Sequence, residues 1–538
     1  MGKVRSFFGI TWVLLILLGV LLLTAYDVSA EEPIRQTTLT VSYTEYQWWL
    51  SRWNSNEIVC VILIDHAGLP TAQEVYKSCG PQIYNEWKTT PACDKLAKGG
   101  EDVSVCPGLY FHLVSTEPKE KEILLTLPPA EAWLNLEGCD PVPPENFCSQ
   151  LPSLKISGEE PLPNESIIAI QGVYDGQPFY CAGDVCTIPL NVTPEAGVGL
   201  EFWADSSFGD SSQVYTALVR VVESGVSFTP GKSGYFVDVL STQWQGAPVS
   251  SCVQSWEAFP PVGKPPAWLA TPSTEELLAS YGPYYYLAGR LIAQGVVKAP
   301  QCATGGLLAN GYADACGLEA ARPLVEEWQN QFDESIVKAA ETSGVPAGLL
   351  KNLFAQESQF WPGVFRVHYE VGLGQLTDVG ADTLLLWNTS FYEQFCPLVL
   401  AEDTCDEGYL HLGSDEKALL RGALTSQANV DCADCPTGVD LASTEFSVDL
   451  FATTLQASCD QLTQIIFNAT GEKPGMVSSY EDLWRMTVAN YHAGPGCLSY
   501  AVYTAWQANP TRLVWEEVAT RFTAPCQGVV PYVDKITR

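Results

Sequence analysis

A single glutamate, Glu357, lies on the apolar side of a predicted helix, and this placement suits proton-transfer chemistry. Leu350, Leu353 and Phe354 precede it at helical spacing, so its carboxyl group shares a face with apolar neighbours. The helix has to end soon afterwards, because the sequence Trp-Pro-Gly at 361–363 cannot continue it. Apolar surroundings and the negative end of the helix dipole both disfavour the ionised carboxylate. The pattern therefore predicts a carboxyl group that stays protonated, as a general acid requires.

Three further segments would bring polar side chains to the same place. Gly372–Thr377 (GLGQLT) is a glycine-rich turn that would carry Gln375 towards the carboxyl group. Far downstream, Asn490–Gly496 (NYHAGPG) ends a predicted helix that begins near Ser479, and Val529–Ile536 (VVPYVDKI) follows close to the C-terminus. A lone glutamate on an apolar face can be an ordinary buried, hydrogen-bonded residue. The interpretation therefore depends on these segments together with the glutamate.

In their order and spacing, these segments resemble the soluble lytic transglycosylase family, whose catalytic domain has the lysozyme-like fold. The family pattern has a helix ending in Glu-Ser-x-Phe, a Gly-Leu-Met-Gln turn, a Tyr-Asn-Ala-Gly-Pro-Gly helix end and a closing Tyr-Val segment. The resemblance covers about Asp333–Arg538, and the set of motifs is specific although each motif alone is not. It implies cleavage of peptidoglycan glycan strands between N-acetylmuramate and N-acetylglucosamine. It also implies a 1,6-anhydromuramoyl product and a reaction without cofactor or metal.

The resemblance implies roles for individual residues. Glu357 matches the catalytic acid, Ser358 matches the serine beside it, and Gln375 matches the glutamine that lines the cleft. Tyr491 matches the tyrosine that faces the acid. In the implied mechanism, Glu357 protonates the glycosidic oxygen and then takes the proton from the 6-hydroxyl of the muramate, which attacks the anomeric carbon.

The chain departs from the family pattern at several positions. Gly374 replaces the usual methionine of the turn, and His492 stands where the family usually has asparagine. Glu370 lies where a small residue is preferred shortly before the turn. A cysteine-bearing insertion occupies residues 388–436, where it would wall the cleft or form a surface excursion. His492 and Glu370 therefore join Ser358, Gln375 and Tyr491 as candidate substrate-binding residues.

Two other functions compete with this interpretation. A true hydrolase of the lysozyme kind would use Glu370, Asp378 or Asp382 to act through water, because glycoside hydrolysis usually needs two carboxylates. A catalytically inactive cell-wall-binding scaffold is expected instead if the insertion blocks the cleft. The products of digested cell wall, or their absence, distinguish these three functions.

The elements that position these residues are predicted to be helical. From Thr274 onwards the apolar residues follow the helical period. Leu318–Gly344 predicts one or two helices with Gly344 as the C-cap, and Pro346 opens the next helix. Ser479, with an acidic residue three positions later, resembles a capping box at the start of another helix.

The rest of the chain predicts a multidomain protein whose earlier domains are rich in β-structure. We predict a disulfide-rich α+β domain of unknown role over 31–157 and a small sandwich of immunoglobulin-like type over 158–228. A linker and helical segment is predicted over 229–300, followed by the α-helical, lysozyme-like domain over 301–538. Within the first domain, the segment Thr44–Trp53 (TEYQWWLSRW) suggests a short helix.

The N-terminus predicts export from the cytoplasm. Lys3 and Arg5 precede an apolar run over residues 7–24, and Val-Ser-Ala at 28–30 is a typical cleavage site. We therefore expect a secretory signal peptide over 1–30. Because the apolar run is long, an uncleaved membrane anchor is the alternative.

Cysteine content and charge agree with an extracytoplasmic, cell-envelope protein. The 18 cysteines are even in number and many are close in sequence, which favours local disulfides, although their connectivity stays open. Zinc at Cys432-x-x-Cys435 is an alternative that would need a second pair of ligands. The net charge of -34 argues against nucleic acid as a partner, because phosphates demand basic patches.

Overall fold

The chain forms two compact units with different secondary structure. The computed structural model describes residues 35–100, 102, 104–140, 146–229, 232–246, 250–263, 265–363 and 370–538. The predicted signal peptide or anchor lies outside these residues. One unit contains the described residues up to 129, together with 160–166 and 207–210, and the other contains 130–159, 167–206 and the described residues from 211 to 538.

The first unit is a three-stranded antiparallel sheet with a helix on one face. Its elements are β1 (Gln36–Arg52), β2 (Ile58–Ile64), α1 (Ala72–Thr89), α2 (Asp94–Lys98) and β3 (Leu109–Thr126). The strand order is β2-β1-β3. Leu50, Ile62 and Val75 are fully buried where α1 packs on the sheet. Thr71 and Glu74 form a capping box that starts α1.

The short helix predicted for residues 44–53 is wrong, because residues 44–52 belong to β1 and Trp53 lies in the turn that follows. Its residues alternate between the two faces of the sheet: Trp48 packs edge-on against Phe111 beneath α1, while Trp49 lies beside His112 on the other face. Pairing with both β2 and β3 satisfies the backbone of this segment along the sheet. Long-range pairing thus outweighs the local helical pattern.

The second unit begins with two antiparallel sheets that share one core. The six-stranded sheet has the order β5-β12-β11-β10-β7-β8, and the three-stranded sheet has the order β4-β6-β9. Leu134, Ile156, Phe202 and Val219 are fully buried between them. The strands are β4 (Glu131–Glu137), β5 (Phe147–Cys148), β6 (Ser153–Glu159), β7 (Ile167–Tyr174), β8 (Gln177–Ala182), β9 (Val185–Pro189), β10 (Val198–Ser206), β11 (Tyr215–Thr229) and β12 (Lys232–Leu240).

The two sheets extend beyond the segment in which strands were predicted. Asp175 and Gly176 form the hairpin turn between β7 and β8, and both have the positive φ that such a turn requires. However, β6 crosses the predicted boundary between 157 and 158, and β12 continues to Leu240 within the predicted linker. The cause is pairing at long sequence distance, since β6 pairs with β4 and β9 while β12 pairs with β11 and β5.

The remainder of the second unit is helical and surrounds the long helix α12. Helices α3, α6, α8 and α14 all pack on it. The helices are α3 (Ser251–Trp256), α4 (Tyr285–Ala293), α5 (Ala315–Asn330), α6 (Asp333–Ser343), α7 (Ala347–Glu357), α8 (Asp378–Trp387), α9 (Thr389–Phe395), α10 (Glu402–Cys405), α11 (Ser414–Ala428), α12 (Thr444–Thr470), α13 (Pro474–Val477), α14 (Tyr480–Ala508), α15 (Trp515–Ala519) and α16 (Val529–Ile536). Short 3₁₀ helices are Ala267–Leu269, Glu275–Leu278, Cys396–Leu398, Tyr409–His411 and Ala524–Cys526.

One sequence prediction about this helical region needs correction and another is confirmed. The predicted linker does not separate domains over 251–300, because Trp256, Trp268 and Leu287 are buried in the same core as the later helices. The helix that starts after Ser479 ends at Gly494, as predicted, because Gly494 has a non-helical backbone conformation; a second helical stretch follows at once and continues to Ala508, so α14 is kinked. Gly494 takes a positive φ at the kink, and the proline that follows begins the next helical stretch without needing a hydrogen-bond acceptor.

All 18 cysteines are paired in nine disulfides. Most pairs are local, as predicted, and the zinc alternative fails because Cys432 is bonded to Cys435. The bond between Cys252 and Cys459 joins α3 to α12 across most of the helical region. Nine disulfides indicate an oxidising environment such as the outside of the cell. Among the residues that the structure describes, no helix has the length and apolar character needed to cross a bilayer.

Candidate active site

Helix α7 holds Glu357 at its last position, as the sequence predicts. Leu350, Leu353 and Phe354 fill the core from the same side of the helix. Gln359 and Phe360 both take positive φ, so the helical path cannot continue. The Glu357 carboxyl group is therefore partly buried at the carbonyl end of the helix, where a negative charge is disfavoured.

The glycine-rich turn approaches α12 too closely for larger residues. Gly372 has a φ of 74°, and a Cβ there would lie 2.4 Å from Ser447 Oγ. A Cβ on Gly374 would lie 2.2 Å from Phe451 Cδ1. Ser447 Oγ also accepts a hydrogen bond of 3.3 Å from the backbone N–H of Leu373. The turn thus packs directly against α12, and this contact fixes the position of Gln375.

Two tyrosines on different helices form hydrogen bonds with the glycine-rich turn and with Glu357. The hydroxyl of Tyr491 on α14 donates to the carbonyl oxygen of Gly374. The hydroxyl of Tyr532 on α16 donates to Glu357 Oε1. His492 stacks its ring on that of Tyr532, with centroids 3.7 Å apart and an interplanar angle of 11°. Side chains from α14 and α16 thus reach the turn and the end of α7.

Burial makes the site favour neutral groups. It raises the pKa of Glu357 to about 7, and the nearby negative charge of Glu370 acts in the same direction. The hydrogen bond from Tyr532 opposes both effects, because it stabilises the carboxylate. Burial also raises the pKa of Tyr491 and of Tyr532 well above the usual range, and it lowers the pKa of His492. A carboxyl group with a pKa about 7 can give and take a proton at neutral pH.

A cavity of about 350 Å³ opens beside Glu357. Its wall is formed by the end of α7, the turn, the first part of α8, the middle of α12 and the kinked part of α14. Two polar residues of this wall carry a buried oxygen without a hydrogen-bond partner among the described residues: Gln375 Oε1 and Asn490 Oδ1. Their amide nitrogens face carbonyl oxygens, of Gly372 at 2.7 Å and of Ser458 at 3.2 Å. Because an amide nitrogen has to face each carbonyl, both oxygens are fixed as acceptors.

Five of the six residues singled out from the sequence line this cavity: Glu357, Glu370, Gln375, Tyr491 and His492. Ser358 does not, since it is buried as the C-cap of α7 and its hydroxyl donates to the carbonyl of Phe354 at 3.2 Å.

Two carboxylates named for water-assisted cleavage, Asp378 and Asp382, are not among the lining residues. Asp382 is bound by Arg421 at 3.0 Å and accepts a hydrogen bond from Tyr409. Glu370 is thus the second carboxylate at the cavity among the described residues.

Three wall or support residues were missed from the sequence. Tyr532 lies in the segment VVPYVDKI, but no local signal in the sequence indicates its contact with Glu357. Asn490 directly precedes Tyr491 and donates to Gln461 Oε1 at 2.8 Å. A signal for Gln461 existed, because Thr454, Ser458 and Gln461 are polar residues at positions i, i+4 and i+7 of a buried helix face.

The described residues contain one group of three potential metal ligands, formed by Cys302, Asp314 and Cys316. Both thiols are consumed by the disulfide between them, so the group does not fit a metal ion.

Comparison of the chain with protein-family models, with curated proteins and with solved structures found no match.

Proposed function

We propose that this protein is a secreted peptidoglycan lytic transglycosylase and that Glu357 is its catalytic acid. One observation carries the proposal: a carboxyl group with a pKa about 7 lies at the wall of a polar cavity and accepts a hydrogen bond from Tyr532. A general acid works best with a pKa near the working pH. The motifs around Glu357, Gln375 and Tyr491 resemble those of the soluble lytic transglycosylases, with their lysozyme-like domain, and supply the substrate class.

The proposed reaction needs one carboxyl group for two proton transfers. Protonated Glu357 gives its proton to the glycosidic oxygen between N-acetylmuramate and N-acetylglucosamine as the bond from that oxygen to the anomeric carbon breaks. The resulting carboxylate takes the proton of the muramate 6-hydroxyl, whose oxygen bonds to the same carbon. The products are a 1,6-anhydromuramoyl end and a free 4-hydroxyl, and Glu357 is protonated again. No water enters the products, so the reaction favours a site that limits access to water.

The wall of the cavity supports a polar sugar as substrate. Gln375 Oε1 and Asn490 Oδ1 lack hydrogen-bond donors within the described chain, and an unsatisfied buried acceptor costs about 1–3 kcal/mol. Sugar hydroxyl groups and the N–H of an acetamido group are donors of the required kind. Tyr491 holds the turn through Gly374 and thereby orients Gln375.

Glu370 supports a second candidate, a hydrolase of the lysozyme kind. Its carboxyl group lines the same cavity as Glu357, and a second carboxylate near the acid is what activation of water would require. The two reactions give different products. Peptidoglycan digested by a transglycosylase carries anhydro ends, each lighter by one water than the reducing ends that a hydrolase leaves.

The experiment is mass spectrometry of purified peptidoglycan after incubation with the mature protein and with its Glu370→Gln variant. Transglycosylation predicts anhydro ends from both proteins. Reducing ends that disappear in Glu370→Gln would favour the hydrolase and overturn the transglycosylase. Binding of peptidoglycan without any cleavage would leave the third function, a wall-binding scaffold.

A further inference from the structure

The imidazole ring of His492 lies flat against the ring of Tyr532. The ring centroids are 3.7 Å apart and the planes differ by 11°. The two residues come from different helices, α14 and α16, so the stack joins elements that are distant in sequence. One face of the His492 ring is thus covered by the phenol ring, and the residue also lines the cavity. It lies near the C-terminal end of the first part of α14, two residues before the kink at Gly494.

The stacked tyrosine is the residue that contacts the carboxyl group. Tyr532 donates its hydroxyl hydrogen to Glu357 Oε1. The first side-chain torsion of Tyr532 sets the position of the hydroxyl oxygen, because this oxygen lies on the axis about which the ring itself turns. The second torsion sets the ring plane, in which the O–H bond prefers to lie, and thereby directs the hydrogen. Stacking on one face restricts both the swing of the ring towards His492 and the turning of its plane. His492 thus acts on Glu357 indirectly, through its contact with Tyr532.

The imidazole acts here as a neutral ring. The titratable groups around it are Glu357, Glu370 and Tyr491, which line the same cavity, and Tyr532, which stacks on the ring. Burial lowers the pKa of His492, so at neutral pH the ring does not bring a positive charge to these groups. The stacking contact, rather than charge, is therefore the interaction through which His492 acts.

We propose that His492 is a positioning residue whose stacked ring holds the Tyr532 phenol in the orientation that donates to the Glu357 carboxyl group. The catalytic meaning of this contact rests on the proposed function, since it concerns the proposed acid. The contact itself can be tested without any substrate.

The test is a double-mutant cycle on the pKa of Glu357, measured by NMR of protein carrying ¹³C in its glutamate carboxyl groups. The Glu357 signal is assigned by its absence from Glu357→Gln. His492→Ala should move this pKa upward by about one unit, because it loosens the hydrogen bond that stabilises the carboxylate. Tyr532→Phe should move it upward as well. In the Tyr532→Phe background, His492→Ala should cause no further upward shift.

Two controls isolate stacking from other effects. His492→Phe keeps a flat ring without a titratable nitrogen, and it should leave the pKa of Glu357 near that of the parent. His411→Ala removes an exposed histidine elsewhere, and it should change nothing. Unfolding temperatures confirm that each variant is folded.

The proposal is overturned if His492→Ala leaves the pKa of Glu357 unchanged in the folded protein. It is also overturned if the substitution shifts this pKa equally with and without the Tyr532 hydroxyl, since His492 would then act directly on the carboxyl group. Neither result depends on enzyme activity. If the protein cleaved no glycan, the proposed function would be contradicted. The double-mutant cycle on the pKa of Glu357 could still be interpreted.

Discussion

The Glu357 carboxyl group is acted on by its neighbours in opposite directions. Burial at the end of α7 and the charge of Glu370 favour the protonated form, whereas the Tyr532 hydroxyl favours the ionised form. Burial is the largest of these effects, so the pKa is raised, to about 7. A group balanced in this way can serve first as an acid and then as a base.

The first prediction concerns the dependence of cleavage on pH. If Glu357 has to be protonated, the rate of peptidoglycan cleavage should fall as pH rises through about 7, by up to tenfold for each pH unit above it. Release of soluble glycan fragments from purified cell wall measures this rate. A rate that stays flat from acid to alkaline pH would show that Glu357 is not the acid.

The second prediction concerns stability, and it needs no substrate. The pKa of Glu357 is about 7 in the folded chain against 4.5 for an ordinary glutamate. This group therefore contributes most to stability below about pH 4.5, and the contribution is lost as pH rises to about 7. Above pH 7 the buried charge costs on the order of 3 kcal/mol. Glu357→Gln should thus unfold at a higher temperature than the parent at about pH 8.

The matched control for this stability measurement is Glu341→Gln, which alters an exposed glutamate on α6. It should leave the unfolding temperature unchanged at every pH. The advantage of Glu357→Gln should shrink as the pH approaches about 4.5. An equal effect of the two substitutions would contradict the burial of Glu357.

At the scale of elements, the close packing of the glycine-rich turn against α12 explains one departure from the family pattern that the chain resembles. The pattern has methionine where this chain has Gly374, and here the ring of Phe451 lies where that side chain would begin. Glycine at one position and phenylalanine at the other are thus complementary. Together they let the turn approach α12 closely enough for Leu373 to contact Ser447.

The third prediction tests this pairing. Gly374→Met should lower the free energy of unfolding by about 1–3 kcal/mol, because the new side chain meets the Phe451 ring. Phe451→Ala alone should cost about 3–5 kcal/mol through the cavity it leaves. The double variant should lose less free energy of unfolding than the two single variants lose together. Denaturant unfolding measures all three, and simple additivity would contradict the pairing.

Local signals sufficed for some elements and failed for others. The end of α7, the Gly344 cap and the start of α14 follow from side chains within a few residues, so the sequence predicts them. The strand character of residues 44–53 depends on partners far along the chain, and it was missed. For the same reason the sequence does not predict the contact between Tyr532 and Glu357, although both segments belong to the recognisable motifs.

At the scale of the whole molecule, one disulfide links distant parts of the helical region. Cys252 and Cys459 are fully buried and enclose a loop of 207 residues, which ends in the helix that forms part of the cavity wall. A crosslink over so long a loop restricts the unfolded chain strongly. The sequence could not predict this bond, because cysteine spacing identifies local pairs only.

The fourth prediction compares this disulfide with a local one. Replacing Cys252 and Cys459 by alanine should lower the free energy of unfolding by about 5 kcal/mol according to the loop-closure model. Replacing Cys181 and Cys186, which enclose a much shorter loop in the sandwich, should cost less. Thermal unfolding of both double variants makes the comparison. Equal losses would contradict the view that the long-range bond secures the helical region.

The most direct test of the central claim is digestion of purified peptidoglycan by the parent, by Glu357→Gln and by the control Glu341→Gln, followed by measurement of product masses. The account predicts 1,6-anhydromuramoyl ends from the parent and the control, and a loss of at least about a thousandfold in rate for Glu357→Gln. Digestion by folded Glu357→Gln at the parental rate would contradict it.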